Sequence, residues 1–259
     1  MPLIEAILPH APAFVVVLAR VGGLFIFTPL LSSASVPLRV RALLVVILAL
    51  ALYPISNTEH LIGQPIEFWS VAPLIATEMV VGASLGLLAS IPLMSVQLGG
   101  LLMGQQMGLG LAQIVNPGID IEGDNIGQML FIIAIATFFM MDGLTIIFDS
   151  LAQTFMYVEP GGFVFSDAPL DLLVGLIASG FELAFRIAMP VLAIIFVETL
   201  ILGFLMKTVP TLNIMSFGFP IKIVIGLATL IGSIFFISEA IGFEIEAGLQ
   251  VAQDWVWTL

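Results

Sequence analysis

Cysteine is absent from all 259 positions, and charge is scarce, with Asp, Glu, Lys and Arg making up only 9% of the chain. The first absence excludes disulfides and thiolate metal sites, and it leaves the redox compartment unread. The second excludes an ordinary water-soluble domain, which carries about a quarter charged residues. Basic residues are scarcest: six Lys and Arg face eighteen Asp and Glu, for a net charge of −12. That balance argues against a nucleic-acid partner. Only two histidines occur, His10 and His60, one before the first apolar run and one in a polar connection. No HExxH and no nucleophile elbow is present. Asp142 and Asp149, seven residues apart on one expected helix, would stand about 10 Å apart, too far to share a proton. No catalytic site, metal or cofactor is therefore expected. The first nineteen residues hold no Lys or Arg, so they lack the basic start of a cleavable signal and are expected to be retained.

What the chain has is apolar length. Hydrophobic residues fill 60% of it, in runs that approach or exceed the roughly 20 residues a bilayer-crossing helix needs. Runs are read at Ala11–Leu31, at Ala42–Ile55 (extended back through Arg41 and Pro37), and at Val71–Gly104. Three more follow at Ile126–Val158, Pro169–Met206 and Met215–Gln253. Pro92 should kink or break the third, and Glu159-Pro160-Gly161-Gly162 should stop the fourth. The runs do not alternate polar with apolar, so a membrane β-barrel is rejected. The expectation is an all-α, polytopic membrane-class protein of about six long, partly Pro-kinked helices in hairpins. It forms one unit over residues 1–259, with a central loop at 105–127 and an amphipathic helix end at 239–259. Arg39 with Arg41, and Lys207 with Lys222, mark the connections that would face the cytoplasm if the runs alternate as spans.

Charges inside such runs normally face protein or water. Arg20, Glu78, Asp142, Asp149, Glu182, Arg186 and Glu198 are of this kind. Glu182 and Arg186 share a helix face and can pair. Asp142, Thr145, Asp149 and Gln153 make a polar stripe on the fourth run, and Glu239, Glu246, Gln250 and Gln253 make another on the last. Such stripes serve as contacts between helices or subunits, or line a watery path. Gly82 with Gly86, and Gly100 with Gly104 and Gly108, let helix backbones approach closely. The central loop, Gln105, Gln106, Met107, Gly108, Leu109, Gly110, Leu111 and Ala112 through Asn116 and Pro117, is too apolar for a water-exposed connection. Irregular backbone at membrane depth is tolerated where it lines or closes a cavity; a plain connector is the simpler alternative.

Several of these residues, in this order, resemble a known family. Arg186-Ile-Ala-Met-Pro190 is followed by Glu198, Gly203, Lys207, Pro210, Asn213, Gly218-Phe219-Pro220 and Lys222. Gly104-Gln105, Gly108, Ala112 and Asn116-Pro117 form a second set, and Asp142-Gly143, Ser150, Pro160 and Gly162 a third. Arg20, Pro29, Pro37 and Arg41 complete the pattern near the start. Together they resemble the flagellar biosynthetic FliR family and its injectisome counterparts, the export-gate subunits of type III secretion. The chain departs from the family pattern at Glu198, Lys207, Thr211 and Leu144. The resemblance implies a non-enzymatic subunit of the protein export gate in the bacterial inner membrane at the flagellar basal body. It implies hydrophobic P-type and Q-type partners, the large export-gate protein and a B-type switch subunit, with unfolded exported proteins as cargo. It also implies that the loop at 105–118 helps plug the pore, with Arg20, Glu78, Asp142, Asp149, Glu182, Arg186, Glu198 and Lys207 as polar subunit contacts. A rival reading is a stand-alone ion-coupled transporter using Glu78, Asp142, Asp149 and Glu198, although no internal symmetry between halves is visible.

Overall fold

A computed structural model describes residues 8–28, 36–63, 68–109, 125–162, 168–208 and 214–258. Within them lie seven α-helices and no strand: α1 Ala11–Phe27, α2 Leu38–Leu52, α3 Phe68–Met107, α4 Asn125–Met140, α5 Gly143–Tyr157, α6 Ala168–Thr208 and α7 Ile214–Thr258. Short 3-10 turns occupy Leu8–His10, Tyr53–Ile55 and Glu59–Leu61. Five stretches are long and apolar enough to cross a membrane, and α4 with α5 makes a sixth as a bent pair. The protein is thus a polytopic all-α membrane protein. Helices α3, α6 and α7 hold 40, 41 and 45 residues. At about 1.5 Å per residue they amount to roughly 60 to 68 Å of helix, about twice the hydrocarbon thickness of a bilayer.

Two features differ from the sequence reading. The run from Ile126 to Val158 is two helices, bent by 63° at Met141–Asp142. Asp142 stands in the left-handed region (φ 55°, ψ 28°), a conformation that Asp tolerates better than most residues. The Asp-Gly step is itself a turn signal. Asp142 therefore belongs to the break and not to a helical stripe. The second is at Pro92, where of the kink or break expected the break is absent and α3 runs on. Proline removes the N–H that would bond the carbonyl four residues back.

The chain folds into two compact units, each built from separate stretches. The first comprises Met1–Ile91, Phe139–Leu173 and Glu246–Leu259. In it α1 buries Ala13, Val16, Val17, Arg20, Val21 and Leu24, the three-and-four spacing of one helix face. Glu78, Val81, Gly82 and Leu85 give α3 a matching buried face. These two faces meet through glycine. A Cβ on Gly82 would overlap the Arg20 carbonyl, one on Gly86 would sit 2.7 Å from the Leu24 carbonyl, and one on Gly23 would overlap Met79 backbone. Residue numbers rise together along the contact, so α1 and α3 run in the same direction. Helix α5 adds Gly143, Ile147, Ser150, Leu151, Thr154 and Phe155 to this core, and Tyr157 meets Trp257 of α7 with ring centroids 4.6 Å apart. Helix α2 buries only Ala49; its Leu38, Leu43, Ile47 and Leu50 are exposed.

The second unit comprises Pro92–Phe138 and Val174–Ile245. Its close approaches are also glycine-made. A Cβ on Gly99 would lie 2.9 Å from the Ala184 carbonyl, and one on Gly100 would lie 2.5 Å from the Gly127 Cα. Helix α6 buries Leu183, Ala184, Ile187, Ala188, Val191 and Ile195, while Phe181, Phe185, Met189, Phe196 and Phe204 face outward.

Candidate functional site

The first unit closes on a buried ion pair. Arg20 Nε donates to Glu78 Oε2 at 2.5 Å, and both side chains are 0% exposed. An isolated charge in such a place costs several kcal/mol, so its remaining groups need partners. They have them. Arg20 Nη1 donates to Thr154 Oγ1 at 3.1 Å, and Nη1 and Nη2 reach the Val158 carbonyl at 3.5 and 3.4 Å. The Thr154 hydroxyl passes its own proton to the Leu151 carbonyl at 2.7 Å. The guanidinium lies 4.4 Å from the centroid of the Phe155 ring, a cation–π contact. The second carboxylate oxygen, Glu78 Oε1, accepts the Gly161 N–H at 2.9 Å.

That last bond depends on the Glu159–Gly162 turn. Gly162 N–H donates to the Glu159 carbonyl at 2.8 Å, and Gly161 has φ 88°. Proline followed by a positive-φ glycine is the pattern of a type II turn. The sequence stop signal after α5 thus also aims an N–H at Glu78. His60 donates from Nε2 to the Pro160 carbonyl at 3.2 Å. Four chain segments, α1, α3, α5 and this turn, are tied at one point. Arg20 and Glu78 are 58 residues apart, and neither the pairing nor the parts played by Thr154, Phe155 and Gly161 follow from helical spacing. Their opposite signs inside two apolar runs were the available clue.

The C-terminal end of α3 is a second construction. Gly108 has φ 85°, its N–H donates to the Gln105 carbonyl at 3.0 Å, and the Leu109 N–H donates to the Gly104 carbonyl at 3.0 Å. This pair of bonds with a left-handed glycine is a Schellman cap, which satisfies carbonyls a helix end would otherwise orphan. Gln105 and Gln106 are exposed, but Met107 is fully buried. Its Cγ, Sδ and Cε fill the space beside Gly226 of α7, where an added Cβ would meet them at 2.6–2.8 Å. The start of the central loop is therefore fixed by a cap and a side-chain socket. Gly110, Leu111, Ala112, Asn116 and Pro117 lie outside the described residues.

The remaining intramembrane polar residues are not gathered into one place. Asp142, Thr145 and Asp149 are exposed, and Asp149 accepts a bond from Gln153 at 2.8 Å. Glu182 and Arg186 share an exposed face of α6, but among the described residues no ion pair within 4 Å joins them. With Phe185, Met189, Pro190 and Phe236 they line an open groove of about 640 Å³. Arg186 and Phe236 also border a smaller hollow with Glu239, of about 320 Å³. Glu198 is 6% exposed, and among the described residues its Oε1 accepts no hydrogen bond. Thr199 lies 3.5 Å from the other oxygen. That hydroxyl has one proton, and the shorter bond, 2.8 Å to the Ile195 carbonyl, takes it. Lys207 is exposed near the end of α6.

The arrangement offers packing and polar contact surfaces, and known proteins with similar sequences fit it. The family model "Bacterial export proteins, family 1" matches residues 11–247. The flagellar biosynthetic protein FliR of Bacillus subtilis is 28% identical over 231 residues, covering 88% of each chain. The surface presentation of antigens protein SpaR of Salmonella typhimurium is 27% identical, over 84% of this chain and 80% of its own length. Yop proteins translocation protein T of Yersinia pestis is 24% identical over 84% of both. With a family match that covers every helix from α1 into the last third of α7, the chain belongs to family 1 of the bacterial export proteins, the FliR and injectisome T-type family of type III export.

Proposed function

We propose that this protein is a non-enzymatic subunit of a type III protein export gate in the bacterial inner membrane, and that it helps form and close the pore for unfolded substrates. The observation that carries the reading is the family match along residues 11–247, among relatives named for flagellar biosynthesis and for translocation of secreted proteins. The physical support is the state of α6 and α7. Large apolar side chains and unpaired charges share their outer faces. Lipid satisfies the first and not the second, whereas neighbouring hydrophobic subunits satisfy both. The P-type and Q-type gate subunits are the partners proposed for the part of those faces around Glu182, Arg186 and Phe236, with the large gate protein and the B-type subunit beyond them.

In this reading the segment from Gln105 to Pro117 closes the pore, held at its base by the Gly108 cap and the Met107 socket. Beyond that base come Gly110 and, just past Pro117, Gly118, which supply backbone freedom. Deleting residues 110–115, beyond the Gly108 cap and the Met107 socket, should leave the gate assembled but leaky to ions and small solutes in a vesicle flux assay. A deletion that assembles and stays as tight as the wild type removes the plug from the proposal. Affinity purification of the full chain from its own cells should bring two hydrophobic partners with it.

A further inference from the structure

We propose that the connected ends of α6 and α7 hold one anionic phospholipid, with its phosphate at Lys222 and an acyl chain in the hollow beside Gly203. The inference rests on the protein being embedded in a membrane and not on the pore-closing reading.

Charge is the first observation. The chain carries a net −12, yet from Thr199 through Ser238 there is no Asp or Glu. The only charged residues in that stretch are Lys207 and Lys222, the two lysines of the whole protein. An acidic protein has thus made one hairpin end purely cationic. The second observation is shape. A cavity of about 300 Å³ is lined by Leu202, Gly203, Met206, Gly218, Phe219 and Lys222. A Cβ on Gly203 would meet nothing within 4 Å, so the floor of the hollow is open beside the helix backbone. The third is the state of Lys222. It is only partly exposed, its cavity is walled by apolar side chains, and among the described residues no carboxylate lies within 4 Å of it. A partly desolvated ammonium favours an anion beside it. Lysine binds phosphate as a point charge.

The occupant must therefore be anionic at one end and apolar along its length. Free phosphate would satisfy Lys222 and leave Leu202, Met206 and Phe219 against empty space. The surface around the hollow is apolar too: Phe204 is 74% exposed and Val224 66%, which places it against acyl chains in an embedded protein. Basic pockets between membrane helices on the cytoplasmic side recognise anionic headgroups in this way.

The test uses the full chain in nanodiscs of phosphatidylcholine with a minority of phosphatidylglycerol, and native mass spectrometry to count retained lipid. The wild type should keep one phosphatidylglycerol in preference to phosphatidylcholine. Lys222→Gln should lose that preference by about tenfold, the loss of one charge-assisted bond. Gly203→Phe, which has room for its side chain, should lose retention of both lipids. Each variant's melting temperature should match the wild type. The proposal is overturned if the wild type shows no preference, or if both variants retain lipid as it does. It is also overturned if Gly203→Cys in cells cross-links to another polypeptide instead of to a photoreactive anionic lipid.

Discussion

Arg20 and Arg186 invite comparison. Each is an arginine well inside a long apolar helix, and each has a glutamate available, Glu78 across a helix contact and Glu182 one turn away. Arg20 is fully buried and bound by Glu78, Thr154 and Val158. Arg186 is exposed, has no ion pair within 4 Å among the described residues, and lies along an open groove. Arg20 is therefore satisfied inside the first unit, whereas Arg186 is presented outward by the second. A buried charge with all its partners specifies one arrangement of α1, α3 and α5. A charge on an apolar outer face needs a partner from another molecule, and so marks where assembly takes place.

The largest effect should come from breaking the internal knot. Glu78→Ala leaves the Arg20 guanidinium and the Gly161 N–H without their acceptor, a loss of about 3–5 kcal/mol for a buried pair cut on one side. Thermal unfolding of the detergent-solubilised chain should show it. Replacing both partners, as Arg20→Met with Glu78→Leu, should recover much of that loss, because apolar side chains carry no desolvation cost. Equal damage from the single and the double variant would show that the pair is not what holds the three helices.

The socket at the end of α3 comes next. Met107→Ala should cost about 2–5 kcal/mol as a large-to-small core change. Gly226→Val should also destabilise, because its branches would occupy the volume of the Met107 side chain. Combined, the two should be less harmful than their sum, with a coupling of about 0.5–3 kcal/mol. Strict additivity would mean the contact does not pin the loop base. Gly82→Val in the first unit should cost about 1–3 kcal/mol by overpacking. There the obstacle is backbone of α1, so no side-chain truncation should rescue it.

Much of this fold was legible. Six apolar runs gave the five candidate spans and the bent pair, one helix short of the seven described, Pro37 stands at the N-cap of α2, and the Pro-Gly stop after α5 is a turn at Gly161. These are local signals: run length, a fixed φ, a left-handed glycine. The break at Asp142 was written locally as well, in the Asp-Gly step, but a continuous apolar run on both sides masked it. Pro92 was read as a kink or a break, and only the break is absent, since membrane helices accommodate proline without ending. The Arg20–Glu78 and Met107–Gly226 contacts were not legible. Periodicity tells which face of a helix turns inward and says nothing of which helix it meets. The pairing expected from spacing, Glu182 with Arg186, is the one the structure leaves open, with no ion pair within 4 Å between them.

The smallest effect should come from that open pair. Glu182→Gln with Arg186→Gln should change the melting temperature of the isolated chain little, since among the described residues no ion pair within 4 Å holds either side chain. The same change should weaken recovery of the hydrophobic partners in co-purification.

The most direct test of the contrast compares two arginine variants, Arg20→Gln and Arg186→Gln, by melting temperature in the isolated chain and in the partner-bound complex. The account predicts that Arg20→Gln lowers stability in both, and that Arg186→Gln lowers it in the complex alone. A melting temperature of the isolated chain that falls as far for Arg186→Gln as for Arg20→Gln would contradict it.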